Sequence, residues 1–265
     1  MWINDARLGL RVLRLGQPAV YDVTDDWRSS DIPIDERDAL VRAEDQLATR
    51  AATVVCSRVL AERWASRYGF AAAVVQNGVD LRAHTQAVPR RLAGPGPHAV
   101  YVGTLHKERL DVALIVQLAS SLDRGQIDLV GPDCLDEWSR NALLNTGRVV
   151  FHGPVGHTEV PSIMAAADVL LCPHRVDEFT MSLDAIKSFE YLATTRPIVS
   201  TPTSGFQLLG DVPGLRVVPV SGFAAAVRQA LNQPPGGWVG RAAGAGWDLR
   251  ARQFAEVLGR ARASA

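Results

Sequence analysis

Only two of the 28 basic residues are lysines, Lys107 and Lys187; the other 26 are arginines. An ammonium group is a compact point charge that a planar guanidinium does not replace geometrically. A lysine kept in such an arginine-rich chain therefore marks a position to inspect. Both occupy places where an α/β protein binds phosphate. Lys107 follows an apolar stretch that ends in Gly103, and Lys187 lies near the start of a helical stretch that follows another. A glycine at a strand end lets a ligand approach the backbone. N–H groups of such a loop, with Thr104 and the cations Lys107 and Arg109, suit a phosphate. An ordinary turn with a solvated His-Lys-Glu-Arg surface fits the same residues.

The stretch 173–182, with Arg175, Thr180, Met181 and Ser182, feeds the Lys187 helix. Thr180 or Ser182 can cap that helix, and a helix N-terminus is a ready anion site. Lys187 and Glu190 are three apart and share a face. The lysine can neutralise a diphosphate while the carboxylate accepts from ribose hydroxyls. A plain Lys–Glu surface pair is equally compatible, because the apolar positions Leu183, Ile186, Phe189 and Leu192 leave both on one flank. Asp22, Asp25 and Asp26 close the first apolar stretch. A carboxylate there can act as base toward an acceptor hydroxyl, with Asp25 the candidate, or can simply cap and solvate the turn.

These residues need a scaffold, and short apolar runs alternating with helix-period segments supply one. Strands are expected over 19–23, 53–56 and 72–75, with Ser57 as N-cap of a helix to residue 68. A Pro/Gly-rich stretch over 86–97 reads as a linker. A second series gives strands over 99–102, 127–130, 148–151, 169–172, 198–201 and 215–218. Helices are expected between them, including one over 183–194, and a last one over 247–262. Continuous apolar strands between amphipathic helices indicate parallel sheets covered on both faces, with ligands outside the carboxyl ends of the strands. The organisation expected is a domain over 1–85, the linker, a complete doubly wound domain over 98–235 and a terminal segment over 236–265. The first domain has only three strands, so it reads as the back half of a domain whose front is absent.

The chain has 265 residues, 47% of them apolar, and its 28 basic residues balance 28 acidic ones. Neutrality argues against a nucleic-acid partner, which favours a basic footprint. Cys56, Cys134 and Cys172 lack metal or framework spacing; Cys56 and Cys172 end apolar runs and read as buried thiols of a reducing cytosol. No apolar run reaches membrane-spanning length, and the N-terminus carries no signal-peptide pattern.

Taken in order, several segments resemble the GT-B glycosyltransferases, family 4 (group 1). They are Val54-Val55-Cys56-Ser57, Asn77-Gly78-Val79-Asp80, Tyr101-Val102-Gly103-Thr104-Leu105, Leu129-Val130-Gly131-Pro132, Val150-Phe151-His152-Gly153-Pro154-Val155, and Phe189-Glu190-Tyr191-Leu192-Ala193. Trp247-Asp248 and Arg250 resemble the final helix, which in that fold packs back on the N-terminal domain. The resemblance implies two Rossmann-like domains and a nucleoside diphosphate sugar donor, UDP- or GDP-linked. It implies a glycan, lipid-linked or small-molecule acceptor, no cofactor and no metal. Glu190 would hold the ribose, and the loop at His152, Gly153 and Val155 would meet the base through its backbone. Gly103, Lys107 or Arg109, Arg175 and Lys187 would surround the diphosphate; Thr180, Met181 and Ser182 would present backbone donors. Many members carry a further glutamate eight residues before the second, where this chain has Ser182; the nearest glutamate is Glu178.

The expectation is a cytoplasmic transferase that can work at the inner membrane face. The basic last helix, with Arg241, Arg250, Arg252, Arg260 and Arg262, suits peripheral contact, although its apolar face, Leu249, Phe254, Val257 and Leu258, suits packing on the protein. A non-catalytic nucleotide-sugar-binding subunit and a sugar-nucleotide epimerase of the same fold are the alternatives.

Overall fold

The computed structural model describes residues 1–29, 32–183, 186–236, 242 and 244–263. The chain divides into two compact units. The first takes Met1–Gly78 with the stretches that start at Asp177 and at Ala245; the second takes Val79–Val176 and the stretch that starts at Ile186.

The first unit is built on a parallel sheet in the order β1 (Trp2–Ile3), β2 (Val20–Val23), β3 (Ala52–Val55), β4 (Ala73–Val74). Strand side chains alternate between faces, and the packing follows. Tyr21, Val23 and Val55 join Leu13, Leu47, Leu60 and Trp64 in one core. Val20, Val54 and Val75 face the other way, against Phe254, Val257, Leu258 and Ala261 of the helix Trp247–Ala263. That helix therefore spends its apolar face on the sheet, as one of the two expectations for it had it. Arg250 is buried and donates to the Asn77 carbonyl at 3.1 Å, so it leaves the basic surface to Arg252, Arg260 and Arg262; Arg241 lies outside the described residues.

β1 corrects the expected count of three strands. Two residues are too short to show a period. What signals it is the following helix Ala6–Leu13, whose N-cap Asp5 accepts from the Leu8 N–H at 2.9 Å. The helix Arg58–Tyr68 has Ser57 as its cap, accepting from Leu60 N–H at 3.1 Å, and ends on Gly69 in the left-handed region at φ 77°.

The second unit holds a parallel sheet of β5 (His98–Val102), β7 (Gln126–Val130), β9 (Val149–Gly153), β10 (Val169–Cys172), β11 (Ile198–Ser200) and β12 (Leu215–Val217). The strand order is β12-β11-β10-β5-β7-β9. Two short strands, β6 (Leu105–His106) and β8 (Asp133–Cys134), pair beside it. Asp111 caps the helix Val112–Ser121, accepting from Leu114 N–H at 2.9 Å. That helix buries Leu114, Ile115 and Leu118 with Phe223 and Val227 against Tyr101, Ile127, Leu129 and Leu171. Each such fully buried side chain contributes about 1.5–3 kcal/mol of transfer free energy.

The unit boundary differs from the expected one. It falls at Gly78 rather than after residue 85, because Asp80 caps a helix Leu81–Thr85 that packs on the helices Val160–Ala166 and Ile186–Ala193. The stretch expected as a linker is tied into the second unit, with Arg90 N–H donating to the Ser162 carbonyl at 3.0 Å. The expected helix over 183–194 is also split. Asp177 starts a separate short helix, Glu178–Ser182, and a second runs Ile186–Ala193; residues 184 and 185 lie outside the described ones.

Candidate nucleotide and acceptor sites

Three glycines stand in a row at the carboxyl ends of β5, β7 and β9. Gly103 has φ 145°, Gly131 φ 140° and Gly153 φ 70°, backbone states that side chains resist. Gly103 N–H donates to the Val130 carbonyl at 2.8 Å, and Gly131 N–H to the Gly153 carbonyl at 2.9 Å. A methyl group at Gly131 would stand 2.2 Å from the Gly103 carbonyl oxygen. One at Gly103 would stand 2.6 Å from both Cε and Nζ of Lys187. The missing side chain at Gly103 is thus the space that the Lys187 ammonium occupies.

Lys187 is half-buried at the second position of its helix. Its Nζ lies 5.4 Å from the centre of the Tyr101 ring, a cation–π distance. Burial pushes the Lys187 pKa down; Cys172 and Glu190 pull it up, and Arg109 pushes it down again. The Tyr101 hydroxyl pairs with His174 Nε2 at 3.1 Å. Burial first, then the positive charges of Lys187 and Arg109, hold His174 well below the ordinary imidazole range, so it stands there neutral. Burial also pushes the Cys172 thiol up to about 12. The ammonium therefore lies over a floor of uncharged groups.

Arg109 and Arg175 occupy adjoining loops, joined by Arg175 N–H donating to the Arg109 carbonyl at 2.8 Å. The sequence left Lys107 and Arg109 open as the second cation. Arg109 acts on Lys187. Lys107 is exposed and acts on Asp136, whose carboxyl is held down first by the Ser139 N–H and hydroxyl. Thr104 follows Gly103 with its carbonyl 3.4 Å from the Tyr101 hydroxyl. Glu190 is half-buried one turn beyond Lys187.

At β9, the loop of His152, Gly153 and Val155 borders a cavity of about 160 Å³ whose other walls include Arg90, Ala93 and Ile163. His152 is held by Asp128, a residue that sequence reading passed over as part of a strand. Its signal was available: Gln126 and Asp128 are polar at a two-residue spacing within an otherwise apolar strand. Gly131 and Tyr101 have no sequence signal of their own beyond their places at the end of β7 and within β5.

The segment Asp177–Ser182 belongs to the first unit. The N–H groups expected there as phosphate donors are engaged: Thr180 N–H goes to the Asp177 carboxylate at 2.8 Å and Met181 N–H to the Asp177 carbonyl at 3.0 Å. The Thr180 hydroxyl completes the cap by accepting from Asp177 N–H at 3.0 Å. The Ser182 hydroxyl donates to the Phe179 carbonyl at 2.6 Å. Neither Thr180 nor Ser182 caps the Lys187 helix, because both lie inside the shorter one.

Also in the first unit, a cavity of about 420 Å³ lies at the carboxyl ends of β1 and β2, bordered by Asn4, Arg7, Thr24, Trp27 and Glu36. The three aspartates divide. Asp22 accepts from the Trp2 indole N–H at 3.1 Å, and burial raises its carboxyl above the usual range. Asp26 is buried and paired with Arg63 at 2.7 Å. Asp25 is half-buried just beyond β2. Among the described residues no group of three His, Cys, Asp or Glu could hold a metal ion, and no helix is long and apolar enough to cross a membrane.

Two parallel α/β sheets, with glycines and a cation at the strand ends of the second, make each unit a Rossmann-like one. Residues 96–233 match the family model for glycosyl transferases group 1, and the chain belongs to that family. It is 26% identical over 197 residues to TuaH of Bacillus subtilis (strain 168), whose name assigns it provisionally as a teichuronic acid biosynthesis glycosyltransferase. The match takes 69% of this chain and 50% of TuaH, so the chain spans about half the length of that relative. Sucrose-phosphate synthase from Thermosynechococcus elongatus superposes with a TM-score of 0.78 at 18% identity, over all of this chain and 74% of that one. WaaG, a glycosyltransferase involved in lipopolysaccharide biosynthesis, gives 0.70 at 15% identity, over 94% and 80%. Anabaena HepE in complex with UDP gives 0.68 at 16% identity, over 96% and 76%. At these identities the likeness to solved structures carries the fold.

Proposed function

We propose that the chain binds a nucleoside diphosphate sugar and transfers the sugar to an acceptor hydroxyl. The observation that carries this reading is the seat of the Lys187 ammonium against the Gly103 backbone at the carboxyl end of β5. In sugar transfer the bond from the anomeric carbon to the diphosphate oxygen breaks, and negative charge collects on the leaving diphosphate. Cations fixed in advance at that position stabilise the transition state most. Lys187, Arg109 and Arg175 supply that charge from the protein itself. Glu190 takes the ribose hydroxyls, and the loop at His152, Gly153 and Val155 takes the base. The likeness to HepE, which binds UDP, and to TuaH, named for teichuronic acid biosynthesis, supports a nucleotide-linked donor and a glycan acceptor.

The acceptor enters at the 420 Å³ cavity of the first unit, whose amide, hydroxyl and carboxylate groups suit a polyhydroxylated molecule. Asp25 takes the proton of the attacking hydroxyl. Calorimetry with UDP and GDP tests the donor half: one nucleotide should bind the intact chain, and Glu190→Ala should weaken it about tenfold, as the loss of a charged hydrogen bond does. If neither nucleotide binds, or if Glu190→Ala binds unchanged, the reading falls. Turnover of the bound donor then separates a transferase from a nucleotide-binding partner subunit.

A further inference from the structure

Behind the 160 Å³ cavity lies a carboxylate that the transfer chemistry does not touch. Asp128 is fully buried in the middle of β7. Its Oδ1 sits 2.7 Å from His152 Nε2 and accepts from the Gln126 amide at 2.7 Å. Its Oδ2 sits 2.9 Å from His98 Nδ1. The same Gln126 amide nitrogen also donates to the Ala93 carbonyl at 2.9 Å. His152 and Ala93 both border the cavity. One buried group thus fixes two walls that are 59 residues apart in the chain, one directly and one through Gln126.

A carboxylate offers only lone pairs, so each nitrogen facing it must carry hydrogen. That settles the imidazoles. His98 bears a proton on Nδ1 and His152 on Nε2; in the neutral ring His152 Nδ1 is then an acceptor. The partner of one ring nitrogen decides what the other can do.

We propose that Asp128 is a positioning residue for the base of the donor nucleotide. It holds His152 in the Nε2–H tautomer, so that Nδ1 accepts a hydrogen bond from a ring N–H or amino group of the base, and through Gln126 it sets the opposite wall at Ala93. This rests on the nucleotide-binding reading above and adds to it a fixed tautomer and a second wall. Uracil and guanine both carry such donors, so the inference concerns how the base is held rather than which base it is.

Asp128→Asn tests it with little change of shape. The amide can accept from only one side and turns its NH₂ toward the other imidazole, which must then present a lone pair. Two measurements are needed: ¹⁵N–¹H NMR of the histidine rings, and nucleotide affinity by calorimetry, with circular dichroism to confirm that the variant is folded. In the wild-type chain the neutral His152 ring should carry its proton on Nε2 rather than Nδ1. Where the His152 tautomer is the one reversed, the variant should bind the nucleotide roughly tenfold more weakly, the scale of one mispaired buried hydrogen bond; where the amide turns its NH₂ to His98 and keeps its oxygen toward His152 and Gln126, affinity should hold. A wild-type His152 protonated on Nδ1 alone overturns the proposal without any variant. So does a folded Asp128→Asn chain that binds as the wild type does with the His152 tautomer reversed, or one that binds roughly tenfold more weakly with the His152 tautomer unchanged. If the wild-type chain binds no nucleotide at all, the functional reading fails and this inference fails with it.

Discussion

At the scale of the residue, Lys187 concentrates the electrostatics of the second unit. Its charge is disfavoured by burial and by Arg109, and a bound diphosphate would reverse both effects. The sign follows. Below the depressed value of the free protein the lysine is already charged; above it, binding must take up a proton. Nucleotide affinity should therefore fall as pH rises through that value, and the heat of binding should vary with the ionisation enthalpy of the buffer. Lys187→Met should bind weakly with a flattened pH response; an unchanged response would detach the effect from this residue. Gly103→Ala should also abolish binding, because a methyl group lands 2.6 Å from the ammonium at a φ of 145°. Asp22 shows the opposite sign. Burial raises its folded-state pKa, so its ionisation weakens the fold, and the cost is present above that raised value and absent below the unfolded one. Asp22→Asn should raise the melting temperature at pH 7 and leave it unchanged at pH 3. The two lysines were legible in sequence as scarce charges beside strand ends. What sequence could not rank was their surroundings: Lys107 works on the exposed Asp136, whereas Lys187 works on a floor of buried Tyr101, His174 and Cys172.

At the scale of the element, the longer strands of both sheets were legible because parallel strands buried on two faces are continuous apolar runs. Cap chemistry was legible too, as Ser57 shows. What was not legible were elements too short to have a period: β1 with two residues, and the helices Leu81–Thr85 and Glu178–Ser182 with five each. Their existence is set by caps, Asp80 and Asp177, and by what they pack on. The single helix expected over 183–194 failed for that reason, and with it the expectation of free backbone donors at Thr180 and Met181. Element ends also carry the sharpest stability predictions. Asp111→Ala removes the cap of the helix Val112–Ser121 and should cost about 1 kcal/mol, read as a lower urea midpoint. Gly131→Ala should cost far more. Its methyl group meets a backbone carbonyl at 2.2 Å, and a backbone atom cannot swing aside as a lysine tip can; soluble yield and thermal melting report it.

At the scale of the whole molecule, the alternation of apolar runs with helix-period segments carried the scaffold, and the compact units divide at Gly78. Proline and glycine over 86–97 signal irregular backbone, and irregular backbone can be integral to a domain, as the Arg90–Ser162 bond shows. Long-range membership has no local signal at all: nothing in residues 177–183 announces that they belong with residues 1–78. The same division has a temporal side. Synthesis delivers residues 1–78 before residues 247–263, yet one face of the first sheet, at Val20, Val54 and Val75, is covered by Phe254, Val257 and Leu258. Until residues 247–263 are made, the nascent chain carries that apolar face without its cover. The unit that emerges first can be completed only after the last helix has left the tunnel, while the unit that emerges second has had its strands together for some time. The order of birth and the order of maturation run in opposite directions.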